Sequence, residues 1–265
     1  TFADVTEEAG VAGGNQLSTS CAFFDGDADG WLDLYVVNYI QYDPATAQAC
    51  WLSDGSTRAY CNPMLFDGED DTLYRNQEGK GFVDVSQPAG ILGFHGKGLG
   101  VTVLDYDEDG DADVLVANDT TPNLMFRNDG NLIFSEVGLF TGVARSSEGV
   151  ARAGMGIDIG DLDLDGTTDV FVTNFSGEVN GFFRGMGDAS FEDLSHEAGL
   201  GAPSYRFLGF GTCLSDLELD GDLDILIANG HVNDAVERDS KGETYRQRPL
   251  VFQNGGSGTF AEVGE

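Results

Sequence analysis

The sequence predicts an all-β protein, a row of about four four-stranded propeller blades with the start of a fifth. Three observations carry the β-propeller prediction: an acidic nine-residue loop that recurs four times, a hairpin-like motif in the same phase, and short apolar runs with little helical periodicity between them.

The loops are DGDADGWLD (25–33), DYDEDGDAD (105–113), DLDLDGTTD (161–169) and DLELDGDLD (216–224). Each places carboxylates at positions 1, 3, 5 and 9 and glycine at position 6. Four anions in one tight turn repel one another unless a cation neutralises them. Calcium is the economical choice, since it takes about 6–8 oxygen ligands and the glycine permits a sharp turn that aims alternate side chains at one point. Histidine and cysteine are absent from all four loops, which disfavours zinc or copper. An EF-hand would need a glutamate at position 12, where this chain has Val36, Val116, Val172 and Ile227, all within strand-like apolar runs.

Counted from the first aspartate, the loops recur at intervals of 80, 56 and 55 residues, so the period is near 55 with extra residues in the first copy. The second motif reads LYRNQEGKGFVDV from Leu73, MFRNDGNLIFSEV from Met125, FFRGMGDASFEDL from Phe182 and VFQNGGSGTFAEV from Val251. Its Asn and Gly residues suit a tight hairpin between half-buried arms. One repeat is therefore read as four strands: one entering the acidic loop, one leaving it, and the two hairpin arms. In three repeats the entering strand begins Gly-x-Gly, at Gly98 and Gly100, Gly154 and Gly156, and Gly209 and Gly211. Absent side chains there would let inner strands crowd about an axis. Repeat one has Leu17-Ser-Thr-Ser20 instead. The whole of 1–265 is read as a single repeat domain, interrupted by insertions at about 39–66 and 231–249. Thr1-Phe-Ala-Asp-Val5 matches Thr259-Phe-Ala-Glu-Val263, from which a fifth copy and a longer chain are expected.

Composition bounds the function. The formal charge is −33, from 46 acidic and 13 basic residues, with 41% apolar content. That supports a real core and disfavours nucleic acid or an anionic membrane surface as partner. No apolar stretch approaches the length of a membrane-spanning helix.

The loops, the Gly-x-Gly strands and the period resemble FG-GAP/VCBS repeats, the blades of integrin alpha chains and many bacterial surface proteins. The resemblance implies calcium held through side chains at positions 1, 3, 5 and 9 and the backbone carbonyl at position 7. Carried over, the ligands are Asp25, Asp27, Asp29 and Asp33 with Trp31; Asp105, Asp107, Asp109 and Asp113 with Asp111; Asp161, Asp163, Asp165 and Asp169 with Thr167; and Asp216, Glu218, Asp220 and Asp224 with Asp222. Glu218 departs from the usual short side chain, which makes the fourth site the least regular. More narrowly, the chain resembles the cartilage acidic protein-like group, whose repeats precede an ASPIC/UnbV domain that is not found in these residues. The features are the Cys50 to Cys61 insertion followed by Asp71-Thr-Leu-Tyr-Arg-Asn76, and Asn229-Gly-His-Val232 followed by Tyr245-Arg-Gln-Arg-Pro249.

Cys50 and Cys61 bracket a short polar loop with no histidine nearby, so a disulfide is expected, the alternative being a reduced pair. Cys21 and Cys213 are expected to be unpaired and buried in entering strands. The second insertion concentrates Arg238, Lys241, Arg246 and Arg248 beside His231. That is either a recognition patch for an anionic glycan or a loop self-paired through Asp234, Glu237, Asp239 and Glu243. No motif for a nucleophile, a zinc protease or a phosphate loop occurs. The sequence is thus read as a secreted or periplasmic, non-enzymatic calcium-binding scaffold for a protein or glycan ligand. The alternative is a polysaccharide-active or biosynthetic accessory enzyme on the same blades.

Overall fold

A computed structural model describes residues 2–238, 240 and 242–264. The first sheet is built from β1 (Ser18–Phe24), β2 (Asp33–Asn38), β5 (Thr72–Asn76) and β6 (Phe82–Asp84), with the small hairpin β3 (Cys50–Trp51) and β4 (Arg58–Ala59) set in the connection from β2 to β5. Three further four-stranded antiparallel sheets follow. They are β7 (Gly98–Leu104) to β10 (Phe134–Glu136) through β8 (Asp113–Asn118) and β9 (Leu124–Asn128); β11 (Gly154–Gly160) to β14 (Phe191–Asp193) through β12 (Asp169–Asn174) and β13 (Gly181–Gly185); and β15 (Gly209–Ser215) to β18 (Phe260–Glu262) through β16 (Asp224–Asn229) and β17 (Leu250–Asn254). In each, neighbours in sequence are neighbours in space, as expected of a blade. The acidic loops join the first two strands of every blade at one end, and both insertions join the second and third strands at the other.

The core lies between blades, not within them. Val114 and Val116 of β8 pack with Tyr35, Val37 and Leu73 of the first blade. The alternate residues Leu115 and Ala117 pack with Val170, Val172 and Phe183 of the third. Because both faces of β8 are covered, it reads in sequence as an unbroken apolar run. Each such side chain contributes about 1.5–3 kcal/mol through burial. The third and fourth blades share the equivalent cluster around Phe171, Phe182, Ile225, Ile227 and Phe252.

Inner strands β1, β7, β11 and β15 lie side by side in that order. The crowding expected at Gly-x-Gly is present: a Cβ on Gly100 would sit 2.3 Å from the Met155 carbonyl oxygen, and one on Gly156 would sit 1.9 Å from that of Phe210. Each inner strand also shifts register at this point, as between Gly98 and Gly100 or Gly209 and Gly211, so the motif marks a bulge as well as a close approach. In the first blade Thr19 takes the place of the middle residue and donates its hydroxyl to the Gly98 carbonyl at 2.8 Å.

The two ends of the row differ from the middle, and this corrects one expectation. Cys21 and Cys213 are unpaired as expected but exposed, not buried. They lie on β1 and β15, the inner strands with a neighbour on only one side. For the same reason Phe210 and Leu226 of the last blade remain 43% and 39% exposed.

Each of the first three blades is followed, and the first also preceded, by one helical turn: α1 (Thr6–Ala9), α2 (Ser86–Ala89), α3 (Gly138–Thr141) and α4 (Gly201–Ser204). The sequence reading contained no such turns. The first three end in a left-handed glycine. The residues expected to open a fifth copy, Thr259–Val263, instead supply β18, which completes the fourth blade, and their counterpart Phe2–Val5 forms no strand.

Cys50 and Cys61 are disulfide-bonded, their Cα atoms 5.1 Å apart, which braces β3 against β4. Buried Lys97 donates its ammonium to the Pro63 carbonyl at 2.8 Å, pinning this insertion to the start of the second blade.

Candidate metal centres

Every acidic loop folds through one hydrogen-bond scheme dictated by its spacing. The position-1 carboxylate caps the turn: Asp25 accepts from the backbone N–H of Asp29 at 3.1 Å and of Gly30 at 3.0 Å. Asp105, Asp161 and Asp216 repeat this with Asp109 and Gly110, Asp165 and Gly166, and Asp220 and Gly221. The position-5 carboxylate accepts from the N–H of position 7, as Asp29 does from Trp31, Asp109 from Asp111 and Asp165 from Thr167, each at 2.9 Å, with Asp220 and Asp222 at 3.4 Å. Glycine at position 6 takes φ values of +89° to +103°. Position 4 is also left-handed, with φ between +56° and +62° at Ala28, Glu108, Leu164 and Leu219. None of these four favours that region, so the loop hydrogen bonds hold a conformation that costs about 1–2 kcal/mol per residue.

The ninth aspartate has a second role that the spacing alone did not show. Asp113 is fully buried; one oxygen accepts from the Tyr106 N–H at 3.1 Å and the other from the Asn128 N–H on β9 at 2.8 Å. Asp33, Asp169 and Asp224 make the same pair of bonds to Gly26 and Asn76, Leu162 and Gly185, and Leu217 and Asn254. The asparagine returns the link: Asn128 Nδ2 donates to the Gly26 carbonyl of the preceding loop at 2.8 Å, and Asn254 Nδ2 to that of Leu162 at 2.7 Å. The second blade is thereby tied to the first loop and the fourth blade to the third, whereas the third blade has Gly185 at this position. Burial raises the Asp113 carboxyl to about 7 and the Asp169 carboxyl to about 6 despite those donors, and the neighbouring loop carboxylates push in the same direction.

Ligand oxygens converge in three loops. Carboxylates of Asp25, Asp27 and Asp29, of Asp105, Asp107 and Asp113, and of Asp161, Asp163 and Asp169 lie within 4.8 Å of one another. Among the described residues the fourth loop forms no such group. Glu218 there bonds the side chain of Gln253 instead. A hard cation fits the first two loops best, because Asp27 Oδ1 and Asp107 Oδ1 are buried with no hydrogen-bond partner, as is Asp222 Oδ1 of the fourth. Unpartnered carboxylate oxygens facing like charges are the donors that calcium takes up.

A third element reaches the loops from the hairpin. Arg75 of β5 lies 2.5 Å from Asp27 and 3.7 Å from Asp29. Arg184 of β13 lies 2.7 Å from Asp163 and 3.0 Å from Asp165. Arg127 of β9 instead pairs with Asp129 at 2.6 Å. The signal was present in the sequence, where Arg, Arg, Arg and Gln occupy one position of the hairpin motif in phase with the loops.

The candidate recognition patch is only partly assembled. Arg248 forms a two-pronged pair with Glu262 at 2.7 and 3.0 Å and covers the Phe207 ring. His231 accepts the Asn233 N–H on Nδ1 at 3.0 Å and packs edge-on against Phe175. Arg238 donates to the Thr57 hydroxyl at 2.9 Å, so the two insertions touch. Arg246 is exposed. Among the described residues Glu237 accepts the Tyr245 N–H, and neither Arg238 nor Arg246 forms a salt bridge with Asp234, Glu237 or Glu243. Asp239 and Lys241 lie outside the described residues.

Four-stranded blades in one row, each with a D-x-[DE]-x-D-G loop between its first two strands, define a propeller-type repeat protein, and residues 105–172 match the family model of the FG-GAP-like repeat. The chain is similar in sequence to cartilage acidic protein 1. It is 29% identical to the Mus musculus protein over 167 residues, 60% of this chain and 25% of that one. It is 27% identical to the Homo sapiens protein over 168 residues, 60% and 24% of the two. The chain thus spans about a quarter of the length of these relatives. Among solved structures, an Agrocybe aegerita lectin described as recognising non-reducing terminal N-acetylglucosamine matches at 16% identity and a TM-score of 0.38, over 91% of this chain and 64% of the other. The Photorhabdus luminescens Tc holotoxin pore matches at 17% identity and a TM-score of 0.33, over 82% and 11%. Among the described residues no helix is long and apolar enough to cross a membrane.

Proposed function

We propose that this chain is a non-enzymatic, extracellular or periplasmic calcium-binding repeat scaffold that presents its insertions to a protein or glycan ligand. The supporting observation is the convergence of loop carboxylates with buried, unpartnered oxygens on Asp27 and Asp107. Asp25, Asp27, Asp29 and Asp33, with their counterparts in the second and third loops, would hold the ion; the fourth loop, whose carboxylates do not converge and whose Glu218 bonds Gln253, is the weakest candidate. When bound, calcium neutralises the clustered carboxylates and stabilises the folded blades by mass action. The disulfide fits an oxidising compartment. We read residues 1–265 as one repeat domain, with calcium fixing the blades and recognition assigned to the insertions at 39–66 and 231–249, where His231, Arg238, Arg246 and Arg248 lie.

Chelation tests the calcium reading. At an ion concentration 100 times Kd, each site adds about 2.7 kcal/mol, so removing calcium is expected to lower the melting temperature by several degrees and readdition to restore it. An unchanged melting curve after verified metal removal would refute the site assignment.

A further inference from the structure

The hairpin arginines do not treat the four loops alike, and the difference has a sequence cause. Arg75 and Arg184 each lie against the position-3 and position-5 carboxylates of their own loop. Arg127 occupies the same place on β9, but two residues on it meets Asp129, where the first and third blades have Gln77 and Met186. Asp129 holds the Arg127 guanidinium at 2.6–2.7 Å and is itself held by the Ser135 hydroxyl at 2.5 Å. Arg127 thereby makes no salt bridge to the ligand carboxylates of the second loop, although its field still reaches Asp107, whose Oδ1 stays buried and unpartnered. In the first loop the Asp27 side chain is 4% exposed; Arg75 takes one of its oxygens and leaves the other without a partner. The fourth blade has neutral Gln253 at this position.

We propose that Arg75 and Arg184 are built-in counterions that compete with the metal for their loops, so that the second loop, spared by the Arg127–Asp129 pair, takes calcium ahead of the first and third. This rests on the calcium reading above. A guanidinium resting on two ligand carboxylates must be displaced, or share them, when a divalent cation enters. In the ion-free protein the same arginines relieve the repulsion between positions 3 and 5. The hairpin residue thus grades calcium affinity from blade to blade, although it is not itself a ligand. Pairs of this exposure are worth a fraction of a kcal/mol to about 1 kcal/mol, which corresponds to about a two- to fivefold change in affinity.

The test uses the full chain and two substitutions that leave every carboxylate ligand in place. Trp31 sits at position 7 of the first loop, so tryptophan-sensitised terbium luminescence reports that loop, and calcium displaces the probe. Arg75→Gln, which installs the residue the fourth blade carries, is expected to make calcium displacement at the first loop about two- to fivefold tighter. Asp129→Asn releases Arg127 toward Asp107 and Asp109. In calorimetric calcium titration it is expected to weaken the tightest site by about the same factor and leave the Trp31 signal unchanged. Unchanged or weaker calcium binding at the first loop in Arg75→Gln, or an unaltered tightest site in Asp129→Asn, would overturn the counterion proposal while leaving the calcium reading intact. Absence of calcium binding in the wild-type chain and both variants would overturn both.

Discussion

Replacing Asp113 separates the two roles that the ninth loop position combines. Its carboxylate is fully buried and satisfies two backbone donors, Tyr106 N–H at 3.1 Å and Asn128 N–H at 2.8 Å, which join the acidic loop to the hairpin of the same blade. Asp113→Ala leaves both donors without an acceptor. An unsatisfied buried amide costs about 1–3 kcal/mol, so the calcium-free protein is expected to lose about 2–6 kcal/mol. Asp113→Asn keeps one carbonyl acceptor and is expected to lose about half as much. Asp107→Asn is the counterpart: its buried Oδ1 has no partner, and burial, followed by the neighbouring carboxylates, raises its carboxyl above the ordinary value. Removing that charge leaves calcium-free stability within about 0.5 kcal/mol of wild type, as for substitutions that break no buried bond, but reduces the gain on adding calcium. Urea unfolding with chelator and with calcium reads both effects. Calcium-free stability of Asp113→Ala equal to wild type, or a full calcium response in Asp107→Asn, would refute this division of labour.

Two further predictions concern the opposite end of the first blade. Asp71 is buried, accepts from the Tyr35 hydroxyl and the Asn38 N–H at 2.9 Å each, and burial raises its carboxyl to about 7 from 3.8. The folded state therefore holds this proton more tightly than the unfolded chain. Its contribution is fully present below about pH 4, is lost as pH rises toward 7, and is flat above, with an upper bound of about 4 kcal/mol. Asp71→Asn keeps the geometry and is expected to stabilise the protein at pH 8 relative to pH 4; equal differences from wild type at the two pH values would contradict it. Replacing Cys50 and Cys61 by serine opens a loop with a sequence separation of 11 residues and is expected to cost about 2–3 kcal/mol. Limited proteolysis should then cut within 51–60, and resistance equal to wild type would count against a bracing role.

Much of this fold was legible because its signals are local. The alternation of loop, apolar run and hairpin motif fixes four strands per repeat, and covered faces on both sides explain why β8 and β12 read as unbroken apolar runs. Glu218 is irregular by its length alone, and in the folded loop it bonds Gln253. The ends of the row were harder to read. Cys21 and Cys213 sit in strands of ordinary apolar character, and nothing local shows that a neighbouring blade is missing on one side. The helical turns were hidden by their length of four residues, too short for any periodicity to register.

Loop chemistry shows the same division. Spacing alone determined which carboxylates share a turn, because positions 1, 3, 5 and 9 are brought together by a backbone path that the glycine makes possible. Tertiary structure decided what those carboxylates do before any ion is considered. Asp113 reaches β9, Asn128 reaches back to the loop of the preceding blade, and Arg75 and Arg184 reach loops 46–48 and 19–21 residues upstream. The contact between Arg238 and Thr57 spans 181 residues. The partners of Asn128 and Arg238 are set by the stacking of blades, a property of the row that no single repeat encodes, whereas those of Asp113, Arg75 and Arg184 are set by strand pairing within one blade.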